Sequence, residues 1–226
     1  MRNAQMFDIN TSAMEALKIA LGATQNQYVG AYNRALNRTA KHLYRVSTMM
    51  MLEELAVKKR SKIKRRIKPF VSVRSGGREG QSFSGLKLGS VKLWYGLNPF
   101  KVHDLRGQMK SPRRTKQLRD PTTGRYLKTK KGTRGASFMP KGKGLQSMSF
   151  MDSFVAERYG FKSIWIRHER GGIEEAHVDI AGPIEDAIDD YIFENIGPIF
   201  WKYFGEDLRS RVAANIHFDP KTRKRV

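Results

Sequence analysis

Tyr32, Leu36, Thr39, Leu43, Val46 and Met50 recur at intervals of four, three, four, three and four residues. That spacing lays one apolar stripe along a helix. It predicts a helix of roughly 30 residues starting near Thr24, lying across a sheet or against another helix. A coiled-coil seam is the weaker alternative, because the heptads stop at Ala56. Upstream, Ser12-Ala13-Met14-Glu15 has capping-box spacing and predicts a short helix over 13–21, broken at Gly22. Downstream, Ser61 offers a cap for a second short helix over 62–67, with Pro69 as its stop.

Beyond Pro69 the period changes to two. Phe70-Val71-Ser72-Val73 runs into a Gly76-Gly77 turn. Leu86-Lys87-Leu88 and Val91-Lys92-Leu93-Trp94-Tyr95 flank Gly89-Ser90 and read as paired antiparallel strands. Further strands are expected over 148–156, 163–168 and 176–181, with Gly171-Gly172 as a turn. The helical period returns at Ile184, Ala187, Ile188, Tyr191 and Ile192. Gly197-Pro198 interrupts it, and Pro198 can start a last helix with Ile199, Phe200, Tyr203, Leu208 and Val212 on its apolar face. Segregated runs of this kind predict an α+β fold. A long N-terminal helix and C-terminal helices pack on an antiparallel β-sheet, with a long basic loop. The expected segments are an N-terminal arm (1–23), the long helix with a basic segment (24–68), the sheet (69–181), the C-terminal helices (182–218) and a basic tail (219–226). The sheet region carries a cationic insert at 106–143.

Charge changes this picture most. Lys and Arg number 43 against 21 Asp and Glu, a formal net charge of +22. A field that strong draws phosphate polyanions and repels copies of the chain unless something neutralises it. In residues 58–68 (KKRSKIKRRIK), eight of eleven positions are basic, so the excess is concentrated there. Residues 106–143 hold thirteen bases and one acid, Asp120, among Gly, Pro, Ser and Thr, which predicts a flexible cationic loop. Candidate DNA or partner contacts are therefore Lys58, Lys59, Arg60, Lys62, Lys64, Arg65 and Arg66, and in the loop Arg113, Arg114, Lys116, Lys128, Lys130 and Lys131. The opposite sign gathers in residues 183–194, with five acids and no base. Asp186, Asp189 and Asp190, with Trp201 and Phe204, are a candidate subunit interface. The aromatics from Tyr191 to Phe204 exceed what one buried helix face holds. Two plainer readings stand beside it: Glu185 and Asp186 favour a helix first turn through its dipole, and the aromatics fill a wide core face.

Hydrophobic residues make up 39%, enough for a core, and no apolar run approaches the length of about 18 residues that a bilayer span needs. The first residues lack the apolar centre of a signal peptide, so synthesis and folding in a cytoplasm are expected. With no cysteine, disulfides and thiolate metal sites are excluded. No phosphate-binding Gly-rich loop is present, since Gly142-Lys143-Gly144 lacks both the spacing and the hydroxyl. His42, His103, His168, His177 and His217 lack the i, i+4 spacing of helical metal ligands. His168 and His177 can face each other across the Gly171-Gly172 hairpin near Glu169 and Asp179, a conceivable nuclease site. Glu174 and Glu175 are expected in the turn as solvated charges. Aromatics interleave with bases around Trp94 and Trp165. Alternation sets Trp94 opposite Leu93 and Tyr95, so one set faces away from the core. A stacking platform for bases is one reading, and an ordinary core Trp is the more frequent one.

The order of parts resembles the minor tail protein Z family of lambda-like tailed phages, the tail completion proteins, over residues 28–216. Ala35-Leu36-Asn37-Arg38-Thr39-Ala40 resembles a motif in that family's first long helix, and Lys62-Ile63-Lys64-Arg65-Arg66-Ile67 the basic segment after it. Leu86-Lys87-Leu88-Gly89 resembles the strand and turn before the family's basic region. Phe154-Val155 with Ile164-Trp165-Ile166-Arg167 resembles the paired strands that follow. Ile180-Ala181-Gly182-Pro183 leads into a final helical region interrupted by a proline. The insert at 111–133 and the extension at 1–23 depart from the pattern. The resemblance implies a virion protein of the neck that joins a finished tail to a DNA-filled head as a homo-oligomeric ring. Its implied partners are tail terminator or tail tube and head-closure or portal-associated proteins, with genomic DNA in the lumen. It implies no membrane, no cofactor and no enzymatic activity. A stand-alone, sequence-independent nucleic-acid-binding protein is the alternative, and the acidic aromatic C-terminal region argues against it.

Overall fold

The computed structural model describes residues 11–72, 82–83, 86–87, 90–112, 119–125, 135–168 and 171–215. Helices α1 (Thr11–Ala20), α2 (Gln25–Leu55) and α3 (Arg60–Lys64) come first. Strands β1 (Ile67–Ser72), β2 (Ser82–Phe83), β3 (Leu86–Lys87), β4 (Ser90–Tyr95) and β5 (Phe100–Lys101) lead to a 3-10 turn (Val102–Asp104). Then follow β6 (Gly107–Lys110), β7 (Ala136–Pro140), β8 (Met148–Phe150), β9 (Ser153–Arg158), β10 (Phe161–Arg167), β11 (Ile173–Glu175) and β12 (His177–Val178). Helix α4 (Ala181–Ile188), a π turn (Asp189–Phe193) and α5 (Glu194–Ala213) close the order. All strand pairs among the described residues are antiparallel, so the fold is α+β. The chain divides into two compact units, one of residues 1–49, 65–96 and 186–226 and one of residues 50–64 and 97–185.

The first unit is organised by the greater part of α2, residues 25–49, and the rest of the helix belongs to the second. A reciprocal cap starts the helix: Thr24 donates its N–H to Gln27 Oε1 (2.9 Å), and Gln27 donates its N–H to Thr24 Oγ1 (3.3 Å). The expected stripe is buried at Tyr32, Leu36, Thr39, Leu43 and Met50 and half-buried at Val46. Small residues that apolar spacing does not flag, Ala31, Ala35, Ala40 and Ser47, widen it. Tyr28 meets Phe204 edge-on at 5.6 Å, Tyr32 meets Phe200 at 5.6 Å, and Phe200 stacks on Phe204 at 6.0 Å. Met14 of α1 and Leu208 complete this cluster. Asp207 is buried beside it and bonds Arg211 (2.6 Å) and Arg34 (3.3 Å), so the one internal carboxylate of this helix pair is neutralised from both sides.

The structure departs from the sequence pattern at several element boundaries. α1 begins at Thr11, so Ser12 lies inside the helix rather than capping it. α3 ends at Lys64 and Ile67 already belongs to β1, where Pro69 is tolerated because the ribbon is two-stranded and both its strands are edges among the described residues. β4 pairs with β1, and Leu86-Lys87 pairs with Ser82-Phe83 rather than with residues 91–95. α4 starts at Ala181, whose N–H donates to Asp179 Oδ1 (3.0 Å), so Glu185 and Asp186 fall beyond the first turn. α5 runs through Gly197-Pro198 without a break. The missing N–H of Pro198 falls just after the π turn, where the hydrogen-bond ladder is already loosened.

In the second unit, β6-β7-β8 and β11-β10-β9 form two three-stranded sheets, and β12 pairs β5. The strand expected over 148–156 is split at Asp152 (φ 48°), sending β8 to one sheet and β9 to the other. The expected loop at 106–143 is ordered at both ends, because β6 and β7 pair from Gly107↔Pro140 to Lys110↔Ser137. Its alternating Phe138 and Ala136 are buried, a period too short to detect amid the Gly and Ser around it. Gly142-Lys143-Gly144 is a packing device. A Cβ on Gly142 would lie 2.2 Å from Glu54 O, and Gly144 donates its N–H to that carbonyl (3.1 Å), closing the end of α2.

Candidate nucleic-acid interface

The basic segment is presented by two elements. In the second unit, α3 is held by Ile63, fully buried, while Lys59, Arg60 and Lys64 are exposed. Lys58 Nζ donates to His103 O (2.6 Å) and Lys62 pairs with Asp104, so these two cations are committed to the protein. In the first unit, Arg65 is exposed and Arg66 half-buried. Arg113, Arg114, Lys116, Lys128, Lys130 and Lys131 lie outside the described residues, as do Glu169, the Gly76-Gly77 turn and residues 219–226.

From Ile67 the β1–β4 ribbon sorts side chains by strand alternation. The inner set is Ile67↔Tyr95 with Leu93, whose partner Pro69 is itself exposed, and Val91 packs against the aromatic cluster. Tyr95 shares a hydrogen bond with Ser47 (2.6 Å), and burial raises its phenol pKa, an effect the bond partly offsets. The outer set is Lys68↔Trp94 and Phe70↔Lys92. Trp94 is 49% exposed and Phe70 56%, and Lys68 Nζ lies 5.7 Å from the Trp94 ring centroid. Gly96 makes room for that ring, since a Cβ there would lie 2.9 Å from the Trp94 edge. Each outward aromatic thus has a lysine directly across the ribbon. Trp165, by contrast, is buried, with Nε1 donating to Ala156 O (3.1 Å). The two tryptophans take opposite readings. Only the pairing partner distinguishes them, and β1 was the strand that sequence spacing assigned in part to a helix.

A second cluster contradicts the expectation for Glu175. It is 5% exposed at the end of β11, not in a turn, and accepts from Ser163 Oγ (2.6 Å) beside His103 Nδ1 (2.5 Å). Lys101 Nζ is 3.8 Å away, and His103 Nε2 is 3.0 Å from Asp104 Oδ1. Phe161 stacks on the His103 ring at 4.0 Å. Ser163 is fully buried and donates to the carboxylate rather than to His103, so the row is a chain of hydrogen bonds and not an aligned nucleophile and base. Glu174 is exposed, as expected, but it too lies in β11 rather than in the turn and pairs with His168 (3.0 Å). His177 pairs with Lys101 of β5 and does not face His168. No group of three His, Asp or Glu side chains among the described residues is placed to hold a metal.

The proposed subunit interface is half corrected. Asp186, Asp189 and Asp190 are exposed beside Tyr191, but Phe204 is fully buried and Trp201 packs edge-on against it at 6.0 Å. Those rings fill the wide core face. No described helix is long and apolar enough to cross a membrane. Compared with known proteins, the chain matches no family model, no curated protein and no solved structure.

Proposed function

We propose that this chain is a non-catalytic structural subunit of a tailed-phage particle, a tail completion protein acting in a ring where the tail meets the DNA-filled head. The observation that carries the reading is unneutralised cationic surface. Lys59, Arg60, Lys64, Arg65 and Lys68 are exposed and take no carboxylate partner among the described residues, in a chain of net charge +22. A surplus of that size calls for phosphate or an acidic neighbour. The collinear motifs over 28–216 support the type of particle. The exposed acids Asp186, Asp189 and Asp190 support contact between copies, for which a stand-alone nucleic-acid binder has no use. The test is deletion of the gene from the producing genome. DNA-filled heads and finished tails are expected to accumulate unjoined, and infectious particles of normal yield would overturn the reading.

A further inference from the structure

We infer that the outward face of the β1–β4 ribbon binds single-stranded nucleic acid by stacking bases on Phe70 and Trp94 while Lys68 takes a flanking phosphate. The inference rests on the proposed nucleic-acid contact and adds to it which strand form is read and by which residues.

The ribbon does not need these rings for its own packing. Ile67, Leu93 and Tyr95 form its inner set, and the outer aromatics leave about half their surface in water. Large exposed aromatics on an open strand face invite aggregation, and their presence points to a partner that covers them. The register says what that partner is made of. Lys68 stands opposite Trp94 and Lys92 opposite Phe70, so cation and ring alternate along both strands. Phe70 and Trp94 are diagonal neighbours across the ribbon, a relation that separates them by about 7–8 Å. Arg66 precedes the outer row of β1 at the same parity, and Arg66 O accepts the N–H of Gly96 (2.7 Å). No acid belongs to this row among the described residues. A hydrophobic protein partner would have no use for a lysine facing each ring. A duplex would engage the cations but keeps its base faces stacked on one another. Only unstacked bases joined by phosphates match both halves of the pattern.

The test uses the full-length chain with two fluorescent probes, a 20-nucleotide oligo-dT and a duplex carrying the same number of phosphates, in about 100 mM salt. Trp94→Ala and Phe70→Ala are each expected to weaken oligo-dT binding about tenfold and to leave duplex binding within about twofold. Trp94→Phe keeps a ring and should recover most of the loss. The melting temperature of each variant should move by less than about 2 °C, because these side chains sit outside the packed face. Equal losses on both probes would overturn the assignment to single strands. Oligo-dT binding unchanged by either alanine would overturn stacking while leaving the wider nucleic-acid contact in place. Absence of binding to either probe at about 50 mM salt would remove both.

Discussion

Glu175→Ala is expected to destabilise the second unit by about 3 kcal/mol, lowering the melting temperature by about 6–12 °C. The carboxylate is 5% exposed, and its removal takes the acceptor from Ser163 Oγ and from His103 Nδ1 at once. Ser163 is fully buried, so the cost is that of an orphaned donor as well as of a lost bond. Glu175→Gln keeps an oxygen for Ser163 and should cost nearer 1 kcal/mol. Glu174→Ala, one residue away on the exposed side, should stay within about 0.5 kcal/mol. Urea denaturation followed by circular dichroism reads all three, and equal effects at positions 174 and 175 would contradict the burial argument.

The same pair of glutamates shows what sequence pattern reaches and where it stops. Both follow Gly171-Gly172, and alternation says only that they point to opposite sides. Which one enters the core is decided by the pairing of Trp165 with Glu175 and by donors 12 and 72 residues distant, Ser163 and His103. The long helix was legible because its stripe repeats over many turns, and its C-terminal partner was legible in Ile199, Phe200, Tyr203, Leu208 and Val212. Their fit depends on Ala31 and Ala35, which carry no periodic signal of their own. Short strands were found more often than their partners. Leu86-Lys87 lies three residues from β4 in sequence yet pairs with Ser82-Phe83. Local turn chemistry also misled at Pro69 and at Gly197-Pro198, where an edge strand and a helix behind a π turn tolerate residues that usually end an element. The exposed Trp94 was visible as one of two alternatives, and the choice needed Lys68 as its cross-strand neighbour.

Binding of the full-length chain to duplex DNA should be indifferent to sequence and fall by two to three orders of magnitude between about 50 and 200 mM salt. Five exposed cations, Lys59, Arg60, Lys64, Arg65 and Lys68, each contribute about 0.9 to the slope of log affinity against log salt when they neutralise a phosphate. Lys64→Glu with Arg65→Glu should then reduce the slope by about 2. If the segment grips the acidic surface of a second copy instead, the same reversals should abolish oligomer formation. Asp189→Lys with Asp190→Lys should in that case restore it. Fluorescence anisotropy measures the slope, and native mass spectrometry measures the oligomer. A slope near zero would rule out phosphate as the neutralising partner.

Localisation of the chain by cryo-electron microscopy of the intact particle tests its assignment to the neck most directly. A ring of copies is expected at the single vertex joining head and tail, with residues 58–68 within reach of packaged nucleic acid or of an acidic neighbour. Particles that carry head and tail joined but contain no copy of the chain would contradict it.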